Sequence, residues 1–273
     1  KTGKRNCPMQ LAHKTVWITG ASSGIGKALV AEAAKLGANV VLSARDKAAL
    51  LQVAKDSGLT PANSLILPLD LSRYKKFDTA VKTVLKKFSK IDFLINNGGI
   101  SQRSLAAETK IQVYEEIMAV NYFGNIALTL AVLPSMRSRK AGTIATVSSV
   151  AGKLGTPYRS GYSASKFALS GFYEALRAEN YKENIQVSVI YPGFVKTNVS
   201  LNARTASGKK QGTMDLAQSA GISAEQCARR ALAGIIRGKN EIYIAGFREM
   251  FAVWLSRFSP AMLARVIRKA RVT

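Results

Sequence analysis

Short apolar runs alternate with amphipathic stretches along almost the whole 273-residue chain. Runs rich in β-branched and other apolar residues at 15–18, 38–42, 64–69, 91–96, 143–147, 185–191 and 241–245 read as strands, several of them closed by Gly, Pro, Asn or Asp. Helical periodicity begins at Lys27 and returns at 46–57, 73–89, 110–137, 162–180 and 223–236. Within 73–89 it sets Phe77, Val81, Val84, Leu85 and Phe88 on one side, and Asp46 and Ser223 stand where helix caps are expected. Near-continuous apolar strands separated by helices predict an α/β fold, a doubly wound parallel sheet of about seven strands with helices on both faces. No repeat, low-complexity block or linker divides the chain, so residues 1–273 are expected to form a single domain. Two segments stand outside the alternation. Residues 196–222, rich in Ser, Thr, Gly and Asn, predict a flexible lid, and 247–273 form an extension past the seventh strand.

The first strand runs into Thr19-Gly20-Ala21-Ser22-Ser23-Gly24-Ile25-Gly26, with glycines at spacing G-x-x-x-G-x-G. A strand, a glycine turn and a helix N-terminus together make a cradle for pyrophosphate, because free N–H groups and the helix dipole face the anion. Composition then narrows the chemistry. His13 is the single histidine and lies near the N-terminus, which argues against a Ser-His-Asp hydrolase, a histidine base or a histidine metal site. Cys7 and Cys227 are far apart, so neither a disulfide framework nor a zinc site is expected, and the chain suits a reducing compartment. The net charge of +24 favours anionic partners, but the basic residues are mostly scattered and no nucleic-acid-binding motif accompanies them. No specific nucleic-acid partner and no metal are expected. No apolar run reaches the roughly 18 residues of a membrane span, and basic residues 1–8 lack the apolar core of a signal peptide.

Past the second predicted strand, Ser43-Ala44-Arg45 stands where an acidic residue would hold a ribose 2′-hydroxyl. Ala44 offers no carboxylate, and the Arg45 guanidinium can grip a 2′-phosphate in bidentate fashion, so NADP(H) is expected over NAD(H). Tyr162 and Lys166 are four apart on a predicted helix and share a face. A phenol is a poor base near neutral pH, and a neighbouring ammonium favours its phenolate form. Ser149, at the end of the fifth strand, can donate a hydrogen bond to a substrate oxygen as charge develops there, with Ser148 as the competing candidate.

In order and spacing, these motifs resemble the short-chain dehydrogenase/reductase superfamily from about residue 15 to 245, and the fold that this implies is Rossmann-type. The glycine turn is similar to the family's cofactor turn, which implies contacts from Gly20, Ser22, Ser23, Gly24, Ile25 and Gly26. Asp70-Leu71 resembles its adenine-contacting segment. Asn96-Asn97-Gly98-Gly99 stands where the family has Asn-Asn-Ala-Gly, the alanine becoming Gly98. Asn121 falls at the family's catalytic asparagine, and Ser149, thirteen residues before Tyr162, has the family's spacing. Pro192-Gly193-Phe194-Val195-Lys196-Thr197 resembles the segment that holds the nicotinamide carboxamide, implying contacts from Pro192, Val195 and Thr197. The implied mechanism passes hydride between nicotinamide and a carbonyl or carbinol carbon. Tyr162 moves the proton and Ser149 holds the oxygen. Lys166 binds the nicotinamide ribose and supports the tyrosine, and Asn121 keeps a helix distortion and a water near Lys166.

The extension carries apolar stripes (Phe247, Met250, Phe251, Trp254, Leu255, Phe258, Met262, Leu263, Val266, Ile267) broken by Ser259-Pro260 and flanked by arginines. Such a pair of helices can cap an apolar pocket, meet another subunit or lie on an anionic membrane surface. It is similar to the branch of hydroxysteroid dehydrogenases and dehydrogenase/reductase 7 proteins, which implies a small lipophilic carbonyl or alcohol substrate. A homodimer or homotetramer and a cytoplasmic setting, peripheral to a membrane if the extension docks there, complete the expectation. Two other readings stand beside it: a 3-oxoacyl-carrier-protein reductase and a non-catalytic NADP-binding redox sensor.

Overall fold

A computed structural model describes residues 11–268. Cys7, the basic residues 1–8 and the last five residues of the extension lie outside them.

The chain builds β1 (Thr15–Thr19), α1 (Gly24–Lys35), β2 (Asn39–Ser43), α2 (Lys47–Asp56), β3 (Ser64–Ile66), α3 (Phe77–Phe88), β4 (Phe93–Asn96), α4 (Ile111–Met118), α5 (Gly124–Ser138), β5 (Gly142–Val147), α6 (Ser160–Glu179), β6 (Ile185–Pro192), α7 (Leu216–Ser219), α8 (Ala224–Ile236), β7 (Glu241–Ile244), α9 (Phe247–Phe258) and α10 (Pro260–Ile267). The seven strands pair in parallel in the order 3-2-1-4-5-6-7. This is the doubly wound Rossmann-type sheet, reversing direction of growth between β1 and β4, where such folds open a crevice at the strands' C-terminal ends.

Side-chain alternation along the strands feeds two cores. Val16, Ile18, Val40 and Leu42 face one layer, with α1, α2 and α8 over them. Trp17, Val41, Leu94 and Ile144 face the other, under α3, α5 and α6. Trp17 is fully buried, and its indole N–H is satisfied by Ser43 Oγ at 2.9 Å. Asp46 caps α2 through Ala49 N–H, and Ser223 caps α8 through Gln226 N–H.

Four expectations are corrected. The third strand ends at Ile66, because Pro68 has no N–H for the ladder; the chain still follows β2 through Leu67 N to Leu42 O and Leu69 N to Ala44 O, both 3.0 Å. The 73–89 helix begins as a 3₁₀ turn at Leu71–Lys76, held by Asp70, which accepts from Ser72 N–H, and leaves helical geometry at Arg73 before α3. The 110–137 helix is divided by a π-helical turn at Ala119–Phe123. As one stretch, Ile111–Ser138 is long and apolar enough to cross a membrane, but it packs against α3 and α6 and buries Asn121, Asn125 and Thr129 in polar contacts.

The fourth correction concerns 196–222. Instead of a loose excursion, it is tied down by an isolated bridge between Gln102 and Arg204, by α7, and by the buried Ser200, Ala203, Asp215 and Gln218.

Candidate active site

The C-terminal ends of the strands, with the segment after β6 and α9–α10, enclose a cleft of about 1360 Å³. At one end lies the glycine turn. Gly20 takes φ +64°, and a Cβ there would stand 2.8 Å from Gly98 Cα, so the turn after β1 and the loop after β4 need glycine on both sides. The N-cap of α1, Ser23, makes no side-chain cap, which leaves the first-turn N–H groups facing the cleft. Asn97 locks the two loops together, donating from Nδ2 to Thr19 O at 3.0 Å while its own N–H donates to Thr19 Oγ1. Ser22, Ser23, Gly24, Ile25, Ser43, Asp70, Leu71, Asn97, Gly98, Pro192, Val195 and Thr197 all line the same cleft. Exposed Arg45 lies at its edge near Asp70, whose carboxyl is held below the ordinary range: burial alone would raise it, but hydrogen bonds from Ser72 and the charges of Arg45 and Arg73 outweigh that.

Two expected residues stand behind the wall. A Cβ on Gly26 would fall 2.0 Å from Gly20 O, so Gly26 serves the packing of α1 on its own turn. Asn121, fully buried in the π-helical turn, accepts from Ile100 N–H at 2.8 Å and donates to Ile100 O and Ser165 Oγ, each at 2.9 Å. It fastens the loop after β4 to α6. The Gly98 substitution also has a visible counterpart, since a Cβ there would meet Leu71 Cδ1 at 2.6 Å.

Ser149, Tyr162 and Lys166 all line this same cleft. Lys166 lies on α6 one turn past Tyr162, with Nζ 5.8 Å from the phenol ring centroid and donating to Val147 O at 2.7 Å. Burial pushes its pKa down to about 8. Ser149 is half-buried, with Oγ accepting from Ala151 N–H at 3.1 Å and donating weakly to Pro192 O at 3.4 Å. Ser148 also borders the cleft but is buried, with its hydroxyl spent on Lys166 O at 3.0 Å. Of the two serines, Ser149 is the one left available to a ligand.

Sequence reasoning missed a buried charged cluster that Arg103 and Arg159 bring to the same cleft. Arg103 donates from Nε to Asp215 at 2.7 Å and contacts it through Nη2, and Arg159 Nη2 lies 3.5 Å from the same oxygen. The three side chains are 5%, 1% and 9% exposed in the order Arg103, Asp215, Arg159. Burial and the like charge of Arg103 push the Arg159 pKa down to about 10, against the opposing pull of Tyr162 and Asp215. Gln218 Nε2 donates to Val195 O and closes the same segment from the other side. These partners lie up to 112 residues apart, and no local pattern marks them.

The two C-terminal helices present two faces. Ala252, Leu263, Val266 and Ile267 wall the cleft. Outward, Phe247, Phe251, Trp254 and Phe258 form a continuous ridge of ring contacts 5.1–6.3 Å apart, with Phe247 85% and Trp254 54% exposed.

Residues 14–208 match the family model described as short chain dehydrogenase. A dehydrogenase/reductase SDR family protein 7-like of Anopheles gambiae is 44% identical over 264 residues, covering 95% of this chain and 83% of the relative. Dehydrogenase/reductase SDR family member 7 of Mus musculus is 38% identical over 260 residues, covering 93% and 77%. Among solved structures, a short-chain dehydrogenase/reductase from Burkholderia phymatum in complex with NAD superposes with a TM-score of 0.82 at 24% identity, covering 93% of this chain and 96% of that one. A short-chain dehydrogenase from Streptomyces avermitilis gives 0.76 at 25%, covering 92% and 94%.

Proposed function

Since the chain belongs to the short-chain dehydrogenase family, in its dehydrogenase/reductase 7 branch, we propose that this oxidoreductase uses NADP(H) to interconvert a carbonyl and a secondary alcohol on a lipophilic substrate. The observation that carries the reading is the convergence of Ser149, Tyr162 and Lys166 on one cleft whose far edge holds Arg45. The residues present fit a dinucleotide. An uncapped helix N-terminus and a turn stripped of Cβ atoms suit pyrophosphate, and Arg45 beside a site without a carboxylate at Ala44 suits a 2′-phosphate.

When bound, the nicotinamide supplies or accepts the hydride. The chain's own groups manage the oxygen and its proton. The Tyr162 hydroxyl gives its proton to the carbonyl oxygen in reduction and takes it back in oxidation. The Lys166 ammonium, held by Val147 O, favours the phenolate left behind. Ser149 donates to the substrate oxygen where negative charge develops. Asn121 keeps the loop after β4 and α6 in register for this arrangement.

The apolar wall supplied by α9 and α10 supports a lipophilic substrate. It favours this reading over a carrier-protein reductase, a name that neither reported relative bears. The aromatic ridge, with exposed Arg257 and Arg265 on the same two helices, supports peripheral contact with an anionic membrane. Exposed Phe123, Leu130 and Phe167 on the α5–α6 side support a homo-oligomer. Retention of Tyr162 and Lys166 at the cleft argues for catalysis over a sensor. The test is NADPH oxidation with apolar ketones and 3-oxoacyl thioesters. Turnover of the ketones that vanishes in Tyr162→Phe, with NADPH binding kept, supports the reading; undiminished turnover in that variant overturns it.

A further inference from the structure

The first four N–H groups of a helix need partners, and a side chain just before the helix normally supplies one. Helix α6, which carries Tyr162 in its first turn, is not capped by its own flanking residue Arg159. The acceptor comes instead from 59 residues away. Gln102, with no exposed surface, places Oε1 2.7 Å from Gly161 N and 3.4 Å from Tyr162 N, and both donate to it. Its Nε2, with two hydrogens to donate, faces three acceptors, the hydroxyls of Ser104, Thr109 and Ser160, at 3.2–3.3 Å. Gln102 does not line the cleft; its neighbours Ser101 and Arg103 do.

The same three residues are where the segment after β6 docks. Arg204 N–H donates to Ser101 O and Arg103 N–H donates to Arg204 O, both at 2.8 Å, so Gln102 is bracketed by backbone pairing to that segment. Arg103 then reaches Asp215 on it, and Asp215 also holds Arg159, the residue preceding α6. A single short strand-like link therefore touches the lid with its backbone and the tyrosine's helix with its side chain.

We propose that Gln102 is a positioning residue, fixing the start of α6 and thereby the Tyr162 hydroxyl, and that docking of residues 198–218 is communicated to Tyr162 through the Ser101–Arg103 backbone. The proposal rests on the reading of Tyr162 as the proton-transfer group. A misplacement of about 1 Å in a catalytic group costs roughly 100-fold in turnover, so a small shift in the first turn of α6 is enough to be measured.

The experiment uses the full chain with NADPH and phenanthrenequinone, an apolar diketone, as the probe. Gln102→Met removes both the acceptor and the donor. Gln102→Glu keeps the acceptor on the helix amides, and the Ser104 and Ser160 hydroxyls can rotate to donate to it while Thr109 keeps its bond to Leu105 O. We expect Gln102→Met to lower kcat by roughly 100-fold with the KM for NADPH moved less than about threefold, and Gln102→Glu to recover most of the loss. Amide exchange at Gly161 and Tyr162 should rise in Gln102→Met and also in Arg204→Met, which loosens the segment at its bond to Glu116 on α4 and leaves the Asp215–Arg159 contact in place. A Gln102→Met enzyme with wild-type kcat, or a Gln102→Glu enzyme as impaired as it, overturns the positioning role. Unchanged exchange at Gly161 and Tyr162 in Arg204→Met overturns the link to the segment after β6. Absence of wild-type turnover, or full activity in Tyr162→Phe, overturns instead the reading of the site on which the proposal stands.

Discussion

Replacing Asp215 by Asn keeps the shape of the side chain and removes the charge that two guanidiniums share. In the native protein its Oδ2 takes both donors of Arg103 and faces Arg159, while Oδ1 accepts from Gln211 Nε2 at 3.0 Å. With the three side chains at most 9% exposed, water cannot replace the lost charge. Breaking a buried ion pair from one side costs about 3–5 kcal/mol. The Asn oxygen still accepts one hydrogen bond, which points to the lower end, near 3 kcal/mol. For a domain of this size each kcal/mol moves Tm by about 2–4 °C, so the melting temperature should fall by roughly 6–12 °C. Thermal unfolding followed by circular dichroism near neutral pH measures this directly. The drop should persist at high salt, since buried charges are poorly screened. A change below about 2 °C would mean that the carboxylate is solvated and that the segment after β6 is not latched through it. Asp215 also has a pH signature. Its carboxyl is held below the ordinary range because the hydrogen bonds and charge of Arg103 outweigh burial. Its stabilisation is thus complete above the unfolded value of about 3.9 and is lost as pH falls through the lower folded value.

Arg45→Asp should turn the preference from NADPH toward NADH, by about 10-fold to 100-fold in the ratio of kcat/KM values; an unchanged ratio would remove Arg45 from cofactor choice. Lys166 sits at about 8 through burial, so kcat/KM for NADPH should fall as pH rises through that value and the ammonium is lost. The same shift means that the unfolded chain binds more protons between about 8 and 10.5, so stability should rise across that window and the rise should be missing in Lys166→Met. Replacing Phe251 and Trp254 together by Ser should abolish sedimentation with anionic liposomes while leaving turnover of a soluble ketone intact; equal sedimentation of both proteins would exclude the ridge as the contact.

The parallel sheet was legible because buried strands and amphipathic helices differ in period, and every predicted strand is found within a few residues. What the pattern hid were backbone events inside continuous apolar runs. The π-helical turn at Ala119–Phe123 leaves no trace in periodicity, since residues 126–133 are apolar at nearly every position and a face rotated by one inserted residue cannot be read from them. Cleft residues named from motifs nearly all line one cavity, and the two exceptions, Gly26 and Asn121, act on backbone just behind it. The segment 196–222 misled for another reason. Its polar composition suits a solvated loop, but Asp215 and Gln218 are buried against partners far away in sequence, and composition carries no record of tertiary pairing. Gln102 was invisible on the same ground.

The chain's two tryptophans fall at opposite extremes of solvent access. Trp17 is sealed beneath the sheet, one hydrogen bond from Ser43 on the cleft, and Trp254 stands on the outer ridge. The protein is therefore a two-channel fluorophore without any label. Emission from Trp17 should be blue, sheltered from acrylamide and placed to transfer energy to a reduced nicotinamide if one fills the adjoining cleft. Emission from Trp254 should be redder, quenched by acrylamide, and quenched by brominated acyl chains if the ridge meets a membrane. One spectrum, split by quencher, would then follow occupancy inside and contact outside at the same time.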